Sequence, residues 1–167
     1  MSAFPHSVTR FVIDIDAPFD DFRDRYEAAV PSFDINDLSL FQGWDSVLER
    51  TAEVAPNGFL LYGRVDAGPL MALAGHKTRC ITYLMGNHTI AETMFRHDPG
   101  VMLYAPLRTV LYEDGDGNVH FAIDQPSTRF DSFGNPDIAA TGRILDAKLA
   151  ALLAALDLPV PEALTTS

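Results

Sequence analysis

The chain has 167 residues, of which 47% are hydrophobic and 21% charged, a balance that fits one globular domain and excludes disorder over most of its length. Its 23 acidic residues outnumber 12 basic ones for a formal charge of −11, so it repels phosphate backbones and anionic membranes, and neither nucleic acid nor a membrane is an expected partner. No apolar run approaches the roughly 18 residues that span a bilayer. A single cysteine, Cys80, excludes an internal disulfide, and the start MSAFPHSVTRF lacks the features of a signal peptide, so a cytoplasmic location is expected by default.

Thr9 to Ile15 alternates as a strand with one solvated face. Pro18 then opens a helix whose apolar positions Phe19, Phe22, Tyr26 and Val30 recur at helical spacing, and Pro31 closes it. Residues 32–43 are irregular, with a short turn at Asn36 to Phe41. A second helix is predicted from Trp44 to about Ala55, burying Trp44, Val47, Leu48 and Thr51 before Pro56-Asn57-Gly58 stops it. Phe59 to Asp66 is a strand in which Gly63 marks a bulge or a close contact. Ala67 to Gly75 is either a short buried helix or a loop packed on the core.

Thr78 to Met85 is the next strand. Thr89-Ile90-Ala91-Glu92 matches the capping-box pattern, in which hydroxyl and carboxylate satisfy free amides at a helix start. Ile90, Ala91, Met94 and Phe95 make an apolar stripe, and Asp98-Pro99-Gly100 ends that helix. Leu107–Glu113 and Val119–Asp124 flank Asp114-Gly115-Asp116-Gly117-Asn118, a hairpin signal because Gly and Asn tolerate positive φ. Residues 126–135 read as a polar loop. Asn135-Pro136 caps the last helix, which carries Ile138, Leu145, Leu149, Leu152 and Leu156; residues 158–167 form a tail in which Pro159 and Pro161 end the helix and Glu162 to Ser167 read as frayed.

The order β-α-α-β-(α)-β-α-β-β-α implies a single α+β domain over 1–167: a mostly antiparallel sheet of about five to six strands covered by helices. Exposed sheet edges and the long apolar last helix lead us to expect a homodimer.

The strand leading to Gly86-Asn87, the helix ending His97-Asp98-Pro99, Ala105-Pro106-Leu107-Arg108 before Val110-Leu111-Tyr112-Glu113-Asp114, and the long helix after Asp137 together resemble domain-of-unknown-function family 302. The resemblance is strongest over residues 44–157. It implies a compact α+β fold similar in outline to TATA-binding-protein-like folds, and often a dimer, but no reaction. Two positions depart from the family pattern: His88 stands where a proline usually follows the glycine-asparagine pair, and Ala67 follows Asp66 where many members have a histidine.

Asn87-His88 lies between an apolar strand and a helix start, where free amides and a partial positive charge favour a carboxylate, phosphate or enolate. His88 four residues before Glu92 places both on about one face, a feasible acid–base pair; the alternative is that Asn87 caps the helix and His88 is a surface residue beside it. Arg108 suits capture of a carboxylate if it leans inward beside Tyr112 or Asp124, and otherwise makes a structural ion pair. Tyr62, Tyr83, Tyr104 and Phe121 either line an aromatic cavity or fill the core, and Asp66 completes the candidate ligand-binding set of Asn87, Arg108, Tyr83 and Tyr112.

The histidines His6, His76, His88, His97 and His120 form no zinc motif, no haem-attachment motif is present, and Cys80 in a strand is expected to be an inert small hydrophobe. No GxSxG elbow and no phosphate loop occurs, so no cofactor and no metal is expected. Three readings remain. The chain binds a small apolar molecule with a polar or anionic end near Asn87-His88. It is a cofactor-independent isomerase, cyclase or dehydratase of a carbonyl compound with His88 as general base, or it is a structural or partner-binding dimer.

Overall fold

The computed structural model describes residues 1–166. Strands β1 (Arg10–Ile15), β2 (Leu60–Asp66), β3 (Cys80–Gly86), β4 (Leu107–Glu113) and β5 (Val119–Asp124) form a five-stranded sheet in the order β1-β5-β4-β3-β2, antiparallel throughout. Helices α1 (Phe19–Ala29), α2 (Trp44–Val54), α3 (Gly68–Ala72), α4 (His88–Phe95), α5 (Pro126–Phe130) and α6 (Pro136–Ala155) accompany it. The α+β class and the long C-terminal helix are those the periodicity predicts. No helix among the described residues is long and apolar enough to cross a membrane.

Strand alternation sends one set of side chains into the core. Ile13, Phe121, Leu111 and Ile81 stand in register across four strands, none more than 5% exposed. Against that face α1 lays Phe19, Phe22 and Tyr26, and the Tyr26 hydroxyl meets the Thr109 hydroxyl at 2.9 Å inside the core. From α6 come Ile138, Leu145, Leu149 and Leu152, all in the same cluster. Asn135 caps α6 by accepting from the amides of Asp137 and Ile138. Gly142 lets α6 approach α5 closely, since a Cβ there would lie 3.0 Å from Ser127 Cα.

β2 carries a bulge. Leu61 pairs with Met85 and Gly63 with Leu84, so Tyr62 is the extra residue between them. Its ring packs against Gly86, on the side of the sheet away from the core. Beyond the bulge Arg64 falls opposite core-facing Tyr83, and its guanidinium reaches Glu27 of α1 at 3.2 Å.

Several local expectations are corrected. In α2 only Val47 and Thr51 are buried, while Trp44 and Leu48 are 44% and 43% exposed, because the helix rests on a single narrow stripe. α3 forms but is not buried; Leu70 and Leu73 face solvent. Residues 126–135 are not a loop: Pro126 starts α5, whose Ser127 and Phe130 bury against α6, and a 3-10 turn follows over Asp131–Phe133. The start of α4 is capped by Asn87 rather than by a Thr89–Glu92 box, and Phe95 of its expected stripe is 47% exposed. The tail is tied down through residue 164 as well, with Leu164 buried and the Ala163 carbonyl accepting from Gln125, while Ser167 lies outside the described residues.

Candidate functional site

The chain leaves β3 at Gly86 and enters α4 through Asn87, whose extended backbone aims its side-chain oxygen back at the helix. That oxygen accepts from the amides of Thr89 and Ile90 at 2.9 and 3.3 Å, and from the Thr89 hydroxyl at 2.7 Å. The Asn87 side-chain amide donates to the Gly58 carbonyl, fixing the cap to the start of β2. The His88 amide donates to the Tyr62 hydroxyl oxygen at 3.0 Å, and the Ala91 amide to the Asn87 carbonyl. All four leading amides of α4 are therefore satisfied within the chain. An anion would have to displace Tyr62 or Asn87 to reach them, so the free amides expected from the sequence are not available.

His88 is half-buried and both its ring nitrogens are engaged. The Thr51 hydroxyl donates to the Val47 carbonyl at 2.7 Å, which leaves its oxygen to accept from His88 Nε2–H at 2.7 Å. Nδ1 then accepts the Tyr62 O–H at 2.5 Å. The network thus selects the neutral Nε2–H tautomer. Burial lowers the imidazole pKa from its ordinary 6.5 and pushes the Tyr62 phenol up to about 12. Phe33 closes one side, its ring centroid 5.1 Å from Tyr62 and 5.3 Å from His88.

The other candidates are spread apart. Glu92, one turn along α4, pairs with Arg96 and not with His88. Tyr83 is a core residue on the opposite side of the sheet, its hydroxyl donating to Glu27 at 2.6 Å and its phenol pushed up by burial. Arg108 does not lean inward; it is exposed beside Leu84, and Asp124 is taken by Arg129 and Arg10. Tyr112 stacks near His120 at 5.1 Å. Asp66 pairs in register with Ile81, the end of β3 far from Asn87, roughly 20 Å away along the strand. Its Oδ1 accepts from the Gly68 amide, and its Oδ2 lies 3.7 Å from the Arg64 guanidinium.

The structure brings together Asn87 and His88 with Thr51, Tyr62 and Phe33. Thr51 carries a weak sequence signal, a polar residue in the apolar stripe of α2; Tyr62 carries a better one, its place beside Gly63 at a bulge. Phe33 lies in an irregular stretch and carries none. Among the described residues no group of three or more His, Cys, Asp or Glu side chains is placed to hold a metal ion.

As a catalytic base His88 would need a free lone pair, yet Nδ1 already accepts from Tyr62. Drawing the Tyr62 proton across is opposed by the wide separation between a phenol at about 12 and an imidazole below 6.5. The arrangement favours a static neutral network that presents a phenol and an imidazole edge.

No curated protein matches this chain. Among solved structures, the crystal structure of an uncharacterized conserved DUF302 protein from Bacillus stearothermophilus is similar in fold, with a TM-score of 0.63 at 14% identity over 87% of this chain and 95% of that one. The family model described as "Domain of unknown function DUF302" matches residues 38–156, a span that holds Thr51, Tyr62, Asn87 and His88. The chain belongs to the DUF302 family.

Proposed function

We propose that this chain is a small-molecule-binding domain whose ligand rests on the Tyr62–His88 edge, beside Phe33 and the exposed Trp44 and Leu48 of α2. The observation that carries the reading is a half-buried histidine held neutral by two hydroxyls and flanked by aromatic rings. A neutral imidazole–phenol edge next to apolar surface suits a ligand with an apolar body and an uncharged polar end, such as a hydroxyl or amide. Such an end donates to the remaining lone pair of the Tyr62 oxygen, whose proton goes to His88, without leaving a charge unpaired. An anionic end is disfavoured because the amides of α4 are occupied.

The test is NMR titration of the full chain with phenol, benzamide and indole up to millimolar concentrations. The signals of Tyr62, His88, Thr51 and the single tryptophan Trp44 are expected to move together, and to stop moving in Tyr62→Phe. If all three probes leave these signals still, or if Tyr62→Phe responds as wild type does, the reading fails.

A further inference from the structure

The hydrogen bonds around His88 run in one direction, and Thr51 sets that direction. Its hydroxyl oxygen lies 2.7 Å from the Val47 carbonyl and 2.7 Å from His88 Nε2. Two oxygens so close need a proton between them, and a carbonyl has none to give, so the Thr51 proton is committed to Val47. Thr51 can then only accept from His88, which holds the imidazole proton on Nε2 and leaves Nδ1 bare. Tyr62 sends its own proton to Nδ1 at 2.5 Å, and one of its lone pairs takes the His88 amide at 3.0 Å. A single lone pair of the phenol oxygen is left for a ligand, and no proton.

We infer that Thr51 is a positioning residue for ligand specificity: by fixing where the Tyr62 proton points, it makes the site take hydrogen-bond donors and turn away ligands that only accept. This selectivity rests on the reading of the Tyr62–His88 edge as a ligand site. A tertiary amide or an ether there meets a lone pair with a lone pair and loses its hydration with nothing in return. Thr51 itself is 4% exposed, so it acts through His88 and Tyr62 and not by touching the ligand.

One added proton reverses the preference. Nδ1 is the open position on the imidazole, and once protonated it donates to Tyr62. Nδ1–H and the His88 amide then fill both lone pairs of the phenol oxygen, and its O–H turns to the ligand. The site becomes one for acceptors such as carbonyls, while the bond to Thr51 is unchanged. Around the ring β2 presents Tyr62, and on α2 Asp45 and Glu49 are exposed while Arg50 pairs with Glu53. Asp34, next to Phe33, accepts from the Asn36 amide, and on α4 Glu92 pairs with Arg96. Burial, not a charged neighbour, lowers the His88 pKa, so the reversal comes on the acid side of its ordinary 6.5.

Two uncharged probes test this: indole, which only donates, and N,N-dimethylbenzamide, which only accepts. Their dissociation constants for the full chain are measured by NMR through the His88 titration, in wild type, Thr51→Val and Thr51→Ser. Long-range proton–nitrogen spectra of the His88 ring are recorded on the same samples. Wild type is expected to show the Nε2–H tautomer and to bind indole the more tightly. On acidification the ratio of the two constants should shift toward the amide about tenfold or more, since one hydrogen bond is lost and one gained. In Thr51→Val either tautomer keeps a bond to Tyr62, so the ring becomes a mixture and the neutral-pH ratio shifts toward the amide about threefold or more. Thr51→Ser keeps the hydroxyl and should keep both tautomer and ratio. A packing role alone would change stability and move neither. An Nδ1–H tautomer in wild type, or a ratio indifferent to both Thr51→Val and pH, overturns the inference and leaves the ligand site standing. If neither probe moves the Tyr62 and His88 signals, the ligand site fails and the inference with it.

Discussion

Replacing His88 by alanine measures what its network contributes. The substitution deletes the bonds to Tyr62 and Thr51. It leaves the helix start intact, because the Asn87 cap and the bond from the residue-88 amide to Tyr62 use no imidazole atom. Each neutral hydrogen bond contributes about 0.5–1.5 kcal/mol net. Thr51 keeps the Val47 carbonyl as acceptor, and water reaches the stranded Tyr62 hydroxyl at this half-exposed position, so neither is a buried orphan. Alanine returns a few tenths through its higher helix propensity. The expected loss is about 1–2 kcal/mol, read in urea as a lower midpoint with unchanged slope. On heating it appears as a midpoint lower by about 2–8 °C. Combined with Tyr62→Phe, the double-mutant cycle should return a coupling of about 1 kcal/mol. A loss above about 4 kcal/mol would mark His88 as a core residue, and zero coupling would refute the network.

Three further outcomes are expected. By NMR titration His88 titrates below 6.5, because burial disfavours its cation, and His120 titrates above it, held by Asp114 and then Asp14. For the depressed His88 the unfolded chain takes up the proton first, so stability falls as pH drops below about 6.5; for the raised His120 the contribution is full below 6.5 and lost as pH rises through its higher folded value. Histidines that titrate together would contradict both placements. Tyr26→Phe strands the fully buried Thr109 hydroxyl and should cost about 1–3 kcal/mol, most of it recovered by adding Thr109→Val; an additive pair in denaturation would show the hydroxyls do not interact. Gly142→Ala should destabilise by about 1–3 kcal/mol despite alanine's helix propensity, since the new methyl meets the Ser127 backbone at 3.0 Å; a raised melting temperature would deny the close approach of α5 and α6.

Most of the sheet was legible because strand alternation is a local signal. Leu107 to Glu113, the Asp114–Asn118 turn and Val119 to Asp124 announce a hairpin with no help from the rest of the chain. The cap at Asn135 and the apolar spacing of α6 are equally local. What escaped depends on partners distant in sequence. Ser127 and Thr128 look like loop residues until α6 supplies the surface that buries their turn. Arg108 and Tyr83 read alike as candidates for a cleft, but strand parity and the helical layer put one in solvent and the other in the core. The site itself was half visible. Asn87 and His88 stand out, whereas Thr51 and Phe33 meet them only after α2 and the preceding turn fold over the end of β2.

The bulge at Tyr62 lets one strand serve two masters. Its first half is in phase with the core through Leu61; the extra residue resets the count, so the second half is in phase with the opposite side. An uninterrupted strand would bury Val65 and turn Arg64 away from Glu27. With the bulge, Arg64 ties β2 to α1 while Val65 stays level with Thr82 on the outward side and Tyr62 holds His88. Removing the single residue Gly63 would therefore do more harm than replacing any one of these side chains. It would exchange inside for outside along the rest of the strand, undoing the Arg64–Glu27 pair and burying Val65 at once. In relatives, a gap or an insertion at this place carries more information about shared architecture than identity at any one neighbouring position.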